Sequence, residues 1–248
     1  MKEKHMKETV LITGANKGIG FETARVLGQK GYRVILGARN EQRGMKAAES
    51  LRKEGLDVDF LQLDMNDPGS IRKAVKSVES KYQKLDALVN NAGILHREEG
   101  LGSSTVLGVP TNILRETFET NFFGLVDLTQ RLIPLIRKSP NGRIVNVSSI
   151  LGSLQLAIER ETDGPSGTPF AYNASKTAVN SFTIHLAGAL KGDGIRVNSA
   201  HPGWVKTDMG SDQAPLSIQE GAKTIIDLVL NDSGKTSKFV HLGEELPW

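Results

Sequence analysis

In the stretch Phe170-Ala171-Tyr172-Asn173-Ala174-Ser175-Lys176 a phenol and an ammonium stand four residues apart, near the start of a segment that reads as a helix. That spacing is one helical turn, so both side chains lie on one face. A tyrosine ordinarily titrates near pH ~10 and is a poor proton donor or acceptor at neutral pH. A fixed positive charge beside it stabilises the phenolate and lowers its pKa, which makes it usable as a general acid or base. The same spacing also fits a half-buried tyrosine next to a solvated lysine, so its meaning rests on what accompanies it.

Upstream, the apolar run Val10-Leu11-Ile12-Thr13 leads through Gly14-Ala15-Asn16-Lys17-Gly18-Ile19-Gly20 into a segment with helical apolar spacing at Phe21, Ala24 and Leu27. This is a strand feeding a helix. Glycines at the join allow a tight turn and close approach, and the helix start offers free N–H groups to an anion such as a pyrophosphate. The glycine spacing departs from G-x-G-x-x-G, so a turn that binds nothing is the competing interpretation.

A second strand, Tyr32 to Arg39, ends where dinucleotide folds place an acidic residue for the ribose 2′-hydroxyl, about 20 residues past the glycines. Ala38 and Arg39 stand there instead, with Arg43 one turn on and Lys17 in the glycine loop. Cations without a carboxylate fit a 2′-phosphate, so NADPH rather than NADH is the expected cofactor. The alternative is that Arg39 and Arg43 are solvated helix-start residues.

Helix and strand patterns then alternate. Glu41 to Glu54 reads as a helix, Val58 to Leu63 as a strand ending in Asp64, and a helix opens at Asp67-Pro68 and runs towards Tyr82. Ala87-Leu88-Val89-Asn90 is a strand leading into Asn91-Ala92-Gly93. Leu95 to Pro110 is expected as loop, with His96-Arg97-Glu98-Glu99 a solvated tip. Asn112 to Arg137 is expected to be mostly helical, with Asn121 set among Phe118, Phe122 and Phe123. A buried amide needs partners, and from spacing alone capping of a backbone kink is favoured over holding an ordered water. Arg143 to Val147 is a strand that delivers Ser148 and Ser149 at its carboxyl end, the edge where open α/β sheets bind ligands. Ile150 to Pro169 is expected as loop, because its glycines and prolines oppose long regular structure. Ile195 to Ala200, a helix over Ile218 to Leu230, and a last strand from Phe239 complete the pattern. The elements together predict an α/β, doubly wound parallel sheet of Rossmann type, with about seven strands and helices on both faces.

The bulk properties narrow the function classes. A chain of 248 residues with 38% hydrophobic content can fill one large core, and no linker, repeat or low-complexity tract divides it, so residues 1–248 are expected to form a single domain. Residues 1–8 are expected to be flexible or foreign; Met1-Lys2-Glu3-Lys4-His5 in particular reads as a remnant ahead of a natural start at Met6. The net charge of +3 comes from interspersed residues, against a nucleic-acid binder. With no cysteine and five scattered histidines, no metal site is expected. No run of apolar residues is long enough to span a bilayer, and a soluble, cytoplasmic protein is expected.

Taken in order, Thr13-Gly14-x-x-x-Gly18-x-Gly20, Asn90-Asn91-Ala92-Gly93, Asn121, Ser149, Tyr172-x-x-x-Lys176 and Pro202-Gly203 resemble the short-chain dehydrogenase/reductase family over almost the whole chain. Within it, Asn16-Lys17-Gly18-Ile19-Gly20, Ala38-Arg39 with Arg43-Gly44, the segment Pro202 to Met209 and the terminal Trp248 resemble NADPH-dependent carbonyl reductases. The resemblance implies that Tyr172 donates a proton to a substrate carbonyl oxygen, that Ser149 polarises that oxygen, that Lys176 lowers the phenol's pKa and holds the nicotinamide ribose, and that Asn121 positions a water in a proton relay. It favours Ser149 over Ser148, because the family's serine is usually the second of such a pair and adjacent strand residues face opposite ways. For NADPH it implies Gly14, Gly18, Ile19 and Gly20 at the pyrophosphate, Asp64 and Met65 at adenine, and Asn91, Ala92 and Gly93 from the adenosine towards the nicotinamide. Pro202, Gly203, Val205 and Thr207 would face the carboxamide; Asn16, Lys17, Arg39 and Arg43 would hold the 2′-phosphate.

The segment between Ser149 and Tyr172 is longer than in most members. In monomeric carbonyl reductases an insertion there covers the helix face that other members use to dimerise, so a monomer is favoured over a homodimer or tetramer. Leu95, Leu151, Leu154, Trp204 and Met209 are apolar residues on loops at the ligand edge, and they either line a pocket for a hydrophobic or aromatic ketone or aldehyde or pack those loops onto the core. The alternatives to a carbonyl reductase are a 3-oxoacyl reductase, which would need a basic patch for an acidic carrier, and a catalytically silent NADP-sensing regulator, which would have no need of a proton donor.

Overall fold

Strands buried along most of their length alternate with helices apolar on one face, a pattern that requires a sheet covered on both sides. The computed structural model describes residues 7–100, 106–162, 169–231 and 234–248. In chain order the elements are β1 (Thr9–Ile12), α1 (Gly18–Gln29), β2 (Arg33–Ala38), α2 (Glu41–Lys53), β3 (Val58–Gln62), α3 (Pro68–Lys81), β4 (Ala87–Asn90), α4 (Arg97–Gly100), α5 (Thr111–Phe118), α6 (Gly124–Ile136), β5 (Arg143–Val147), α7 (Leu154–Thr162), α8 (Phe170–Ala189), β6 (Arg196–Ala200), α9 (Ile218–Leu230), β7 (Phe239–His241) and β8 (Glu244–Glu245). A π-helical turn, Glu119–Phe123, joins α5 to α6.

The sheet order is β3-β2-β1-β4-β5-β6-β7-β8. Every pairing is parallel except that of β7 with the short β8, a strand the sequence pattern does not announce. The order in which successive strands are added reverses between β1 and β4, which places a ligand crevice at the carboxyl ends of those strands. Alternate strand residues feed two cores. Leu11, Ile35, Leu88, Ile144 and Val197 pack with α3, α6 and α8; Val10, Ile12, Val34, Leu36, Val89 and Val145 pack with α1, α2 and α9.

Three expectations are corrected. Residues 7 and 8 are tied to the sheet, with Arg33 N donating to Glu8 O at 2.8 Å and Lys7 paired to Asp57 at 3.2 Å; residues 1–6 lie outside the described residues. The segment from Ile150 is not all loop. It makes a 3-10 turn over Ile150–Gly152 and then α7, because Leu154 to Thr162 contains no glycine or proline. The prolines and glycines that argued against structure crowd into its far end, of which 163–168 lie outside the described residues. The loop from Leu95 contains α4, and Glu99 within the supposed solvated tip is buried, at 1% exposure; residues 101–105 of that loop also lie outside the described residues.

Candidate active site

The glycine turn after β1 is shaped for close approach. Gly14 and Gly18 have φ of 65° and 58°, in the region that favours glycine, and a Cβ on Gly14 would lie 2.9 Å from Ala92 Cα. A Cβ on Gly20 would lie 2.5 Å from the Asn91 amide nitrogen. Lys17, at the N-cap of α1, is extended and its side chain caps nothing, and the first turn holds no acidic residue, so the N–H groups there stay free for an anion. Thr13 ties this turn to the next strand end, its Oγ1 accepting from Asn91 N at 3.0 Å and Ala92 N at 2.9 Å. The Asn91 amide donates to Thr13 O and Gly14 O at 2.8 and 3.3 Å, so this side chain holds the glycine turn.

Beside the turn lies a cleft of about 490 Å³ lined by Asn16, Lys17, Phe21, Arg43, Lys46, Ala47, Ser50 and Asp208. Arg39 is exposed at the end of β2 and forms no ion pair with a described residue. Lys46 is a further cation there that position relative to the glycines does not reveal. Lys17 is paired with Asp208, which holds that carboxyl below the usual range. The segment carrying Asp208 folds over the glycine turn, with Thr207 Cγ2 only 3.5 Å from where a Gly18 Cβ would be. Its course is fixed by Gly203, with φ of 85°, and by the buried Val205, which bridges to Leu216. These features fit a dinucleotide with a charged 2′ substituent: a turn that admits no side chains, free amides at a helix start, and cations in the neighbouring cleft.

Asp64 and Met65 follow β3. The Asp64 carboxylate accepts from Asn66 N at 3.0 Å, and Met65 is buried in the core, so its side chain faces the protein. Gly93 meets the catalytic candidates: a Cβ there would lie 3.3 Å from Asn121 Oδ1 and 3.5 Å from Lys176 Nζ.

Tyr172 and Lys176 sit in the first turns of α8, as the spacing predicted. Lys176 is buried at 4% exposure and donates to Val147 O at 2.8 Å, with its Nζ 5.6 Å from the centre of the Tyr172 ring. Burial pushes the lysine down to about 8. Burial also pushes the tyrosine up, to about 12, and a hydrogen bond with Ser149 opposes that rise. The expected lowering of the phenol is therefore not the net effect in the protein alone, because desolvation of the phenolate is the largest influence. Ser149 and Ser148 diverge: Ser149 acts on the Tyr172 hydroxyl and its Oγ accepts from Leu151 N at 3.2 Å, whereas Ser148 Oγ donates to Lys176 O at 3.4 Å.

Asn121 lies in the π-helical turn and is fully buried. Its Oδ1 accepts from Ile94 N at 2.8 Å, and its Nδ2 donates to Ile94 O at 2.9 Å and to Ser175 Oγ at 3.0 Å. Ser175 Oγ in turn donates to Tyr172 O at 2.7 Å, linking Asn121 to the tyrosine's helix. Sequence reasoning passed over Ser175 although it lies inside the Tyr-Lys stretch. It also passed over His201, whose Nδ1 accepts from Ile150 N at 3.3 Å directly after Ser149. Burial, with His241 beside it, pushes His201 down to about 4, so it is a neutral acceptor at ordinary pH.

Of the apolar candidates, Leu154, Trp204 and Met209 are exposed, at 62%, 54% and 43%, and so are not packing their loops onto the core. The Trp204 indole donates to Gly210 O at 2.6 Å and is held within its own loop. Leu95 and Leu151 are half-buried. Among the described residues no cluster of three or more His, Cys, Asp or Glu side chains could hold a metal, and no helix is long and apolar enough to cross a membrane.

The model of the short chain dehydrogenase family matches residues 8–215, and the chain belongs to that family, as its motifs implied. It is similar to carbonyl reductase [NADPH] 1 of Mus musculus, 36% identical with 98% of this chain and 99% of the relative covered. It is also similar to (+)-neomenthol dehydrogenase of Capsicum annuum, 34% identical with 94% and 95% covered. Among solved structures, NADPH-bound carbonyl reductase from chicken fatty liver superposes with a TM-score of 0.85 at 27% identity, covering 98% of this chain and 94% of that one.

Proposed function

We propose that this chain is an NADPH-dependent oxidoreductase that reduces the carbonyl of a ketone or aldehyde to an alcohol, with Tyr172 as the proton donor. The observation that carries this is the grouping of the half-buried Tyr172, Ser149 at the end of β5 and the buried Lys176, held by Val147 O, at the sheet edge beside the glycine turn. The names of the relatives fit, one a carbonyl reductase and the other a dehydrogenase of the alcohol neomenthol.

When bound, NADPH supplies the hydride for the carbonyl carbon. Gly14, Gly18, Ile19 and Gly20 would hold its pyrophosphate, Asn16, Lys17, Arg39 and Arg43 its 2′-phosphate, and Pro202, Gly203, Val205 and Thr207 its carboxamide. Asp64 and Met65 would lie at the adenine, and Asn91, Ala92 and Gly93 from the adenosine towards the nicotinamide; Met65 and Asn91 would act there mainly through their main chains, because their side chains face the protein. Ser149 Oγ donates to the substrate oxygen. Tyr172 Oη, kept protonated by burial, transfers its proton to that oxygen as negative charge develops there. The Lys176 ammonium stabilises the phenolate left behind. Asn121 uses both Nδ2 hydrogens on the protein, so a relay water at this residue binds its remaining Oδ1 lone pair or its backbone carbonyl. Leu95, Leu151, Leu154, Trp204 and Met209 favour a hydrophobic or aromatic substrate.

The 3-10 turn before α7 packs tightly on α8, where a Cβ on Gly152 would lie 2.7 Å from Lys176 C. Loss of NADPH absorbance with a panel of aliphatic and aromatic ketones, aldehydes and a 3-oxoacyl thioester tests the function. Turnover of the ketones or aldehydes supports it; turnover of the thioester alone, or of nothing while NADPH binds, replaces it with the acyl reductase or the silent sensor.

A further inference from the structure

Glu99 is buried in α4, and among the described residues no cation pairs with it. A carboxylate taken out of water without a counter-charge is costly unless hydrogen bonds and a dipole replace what it lost. Both are present. Its Oε1 accepts from Ala171 N at 2.6 Å and its Oε2 from Tyr172 N at 3.2 Å. These are the second and third amides of α8, the two that an N-cap side chain normally accepts from. The residue at the N-cap is Pro169, which has no side-chain acceptor and makes no cap bond. Glu99 supplies that bond from the other side of the site, and its charge faces the positive end of the helix dipole.

We infer that Glu99 is a positioning residue for the reaction proposed above: its carboxylate caps α8 in trans and fixes the helix turn from which Tyr172 presents its hydroxyl. The second amide it holds is that of Tyr172 itself. Glu99 belongs to the segment that continues from Gly93 through Ile94, which Asn121 grips on both backbone atoms. The cap therefore ties the tyrosine's helix to the chain that runs past the cofactor turn. It does not touch the reacting atoms. Removing it is expected to let the first turn of α8 fray and move the hydroxyl off line, and displacements of about 1 Å cost on the order of a hundredfold in rate.

The test compares the wild type with Glu99→Ala, Glu99→Gln and the double variant Glu99→Ala/Pro169→Asp, in which a local N-cap acceptor replaces the distant one. Two readouts are taken: kcat and KM with NADPH and a carbonyl substrate, and hydrogen exchange of the Ala171 and Tyr172 amides. Glu99→Ala is expected to lower kcat by about ten- to a hundredfold, to leave the KM for NADPH close to wild type, and to lose protection at both amides. Glu99→Gln, which keeps one acceptor, falls between. The double variant regains both protection and kcat. Wild-type protection and kcat in Glu99→Ala would overturn the inference, as would a double variant in which protection returns and kcat does not. A wild type without carbonyl reduction would remove the proposed function while the exchange data still report on the cap.

Discussion

The Lys176 ammonium donates to Val147 O at 2.8 Å while standing 5.6 Å from the centre of the Tyr172 ring. Its place beside the phenol is thus set by strand β5 as well as by the helix that carries both residues. Desolvation acts on the two groups in opposite directions, lowering the lysine to about 8 and raising the tyrosine to about 12. At neutral pH the pair is an ammonium next to an intact phenol. That is the state a proton donor needs before turnover, and the cation is already in place for the phenolate that follows.

The buried lysine gives a stability signature. Its folded pKa of about 8 lies below the ordinary 10.5, so between those values the unfolded chain binds a proton that the folded chain has released, and stability rises with pH in that window. Below about 8 both states are protonated and this contribution is flat. Lys176→Met removes it. The difference in unfolding free energy, wild type minus variant, is expected to be constant from pH 6 to about 8 and to increase by up to about 3 kcal/mol towards pH 10. Denaturant titrations across that range check it; a difference that stays level would show that the lysine is not desolvated.

The cofactor cleft makes a prediction about selectivity. Charge-assisted bonds contribute about 1.5–3 kcal/mol, so Arg39→Ala is expected to weaken NADPH binding by roughly ten- to a hundredfold and to leave NADH nearly unchanged. Asp208 acts in the opposite sense because it occupies Lys17. Asp208→Asn is expected to tighten NADPH by about two- to fivefold at low salt, with the gain fading as salt rises and no change for NADH. Titration of both dinucleotides against both variants decides it, and equal effects on NADPH and NADH would contradict a 2′-phosphate site in this cleft.

Much of this was legible in the sequence because it is local. The glycine turn, the strand ends and the one-turn spacing of Tyr172 and Lys176 are short-range patterns, and the fold places them at one sheet edge as the alternation of strands and helices required. What the sequence hid is non-local. Glu99 sits in an acidic, polar stretch and reads as solvated; only its approach to the start of α8, 72 positions away, buries it. Asn121 could be read as a kink or a water site, and the π-helical turn that directs its amide to Ile94 depends on packing between α5, α6 and α8. The spacing of the tyrosine and lysine announced an electrostatic effect, but it could not weigh that effect against burial. Helix α7 was missed because glycines and prolines counted over a whole segment hid the regular stretch at its start.

The most direct measurement of the central claim is the turnover of Tyr172→Phe beside its affinity for NADPH in the same preparation. The variant loses one hydroxyl and keeps the ring that packs near Lys176. General acid catalysis is worth about 10²–10⁴-fold, so kcat for a good carbonyl substrate is expected to fall by at least about a hundredfold while NADPH binding stays close to wild type. A variant that binds NADPH and still reduces the carbonyl at a substantial fraction of the wild-type rate would remove Tyr172 as the proton donor.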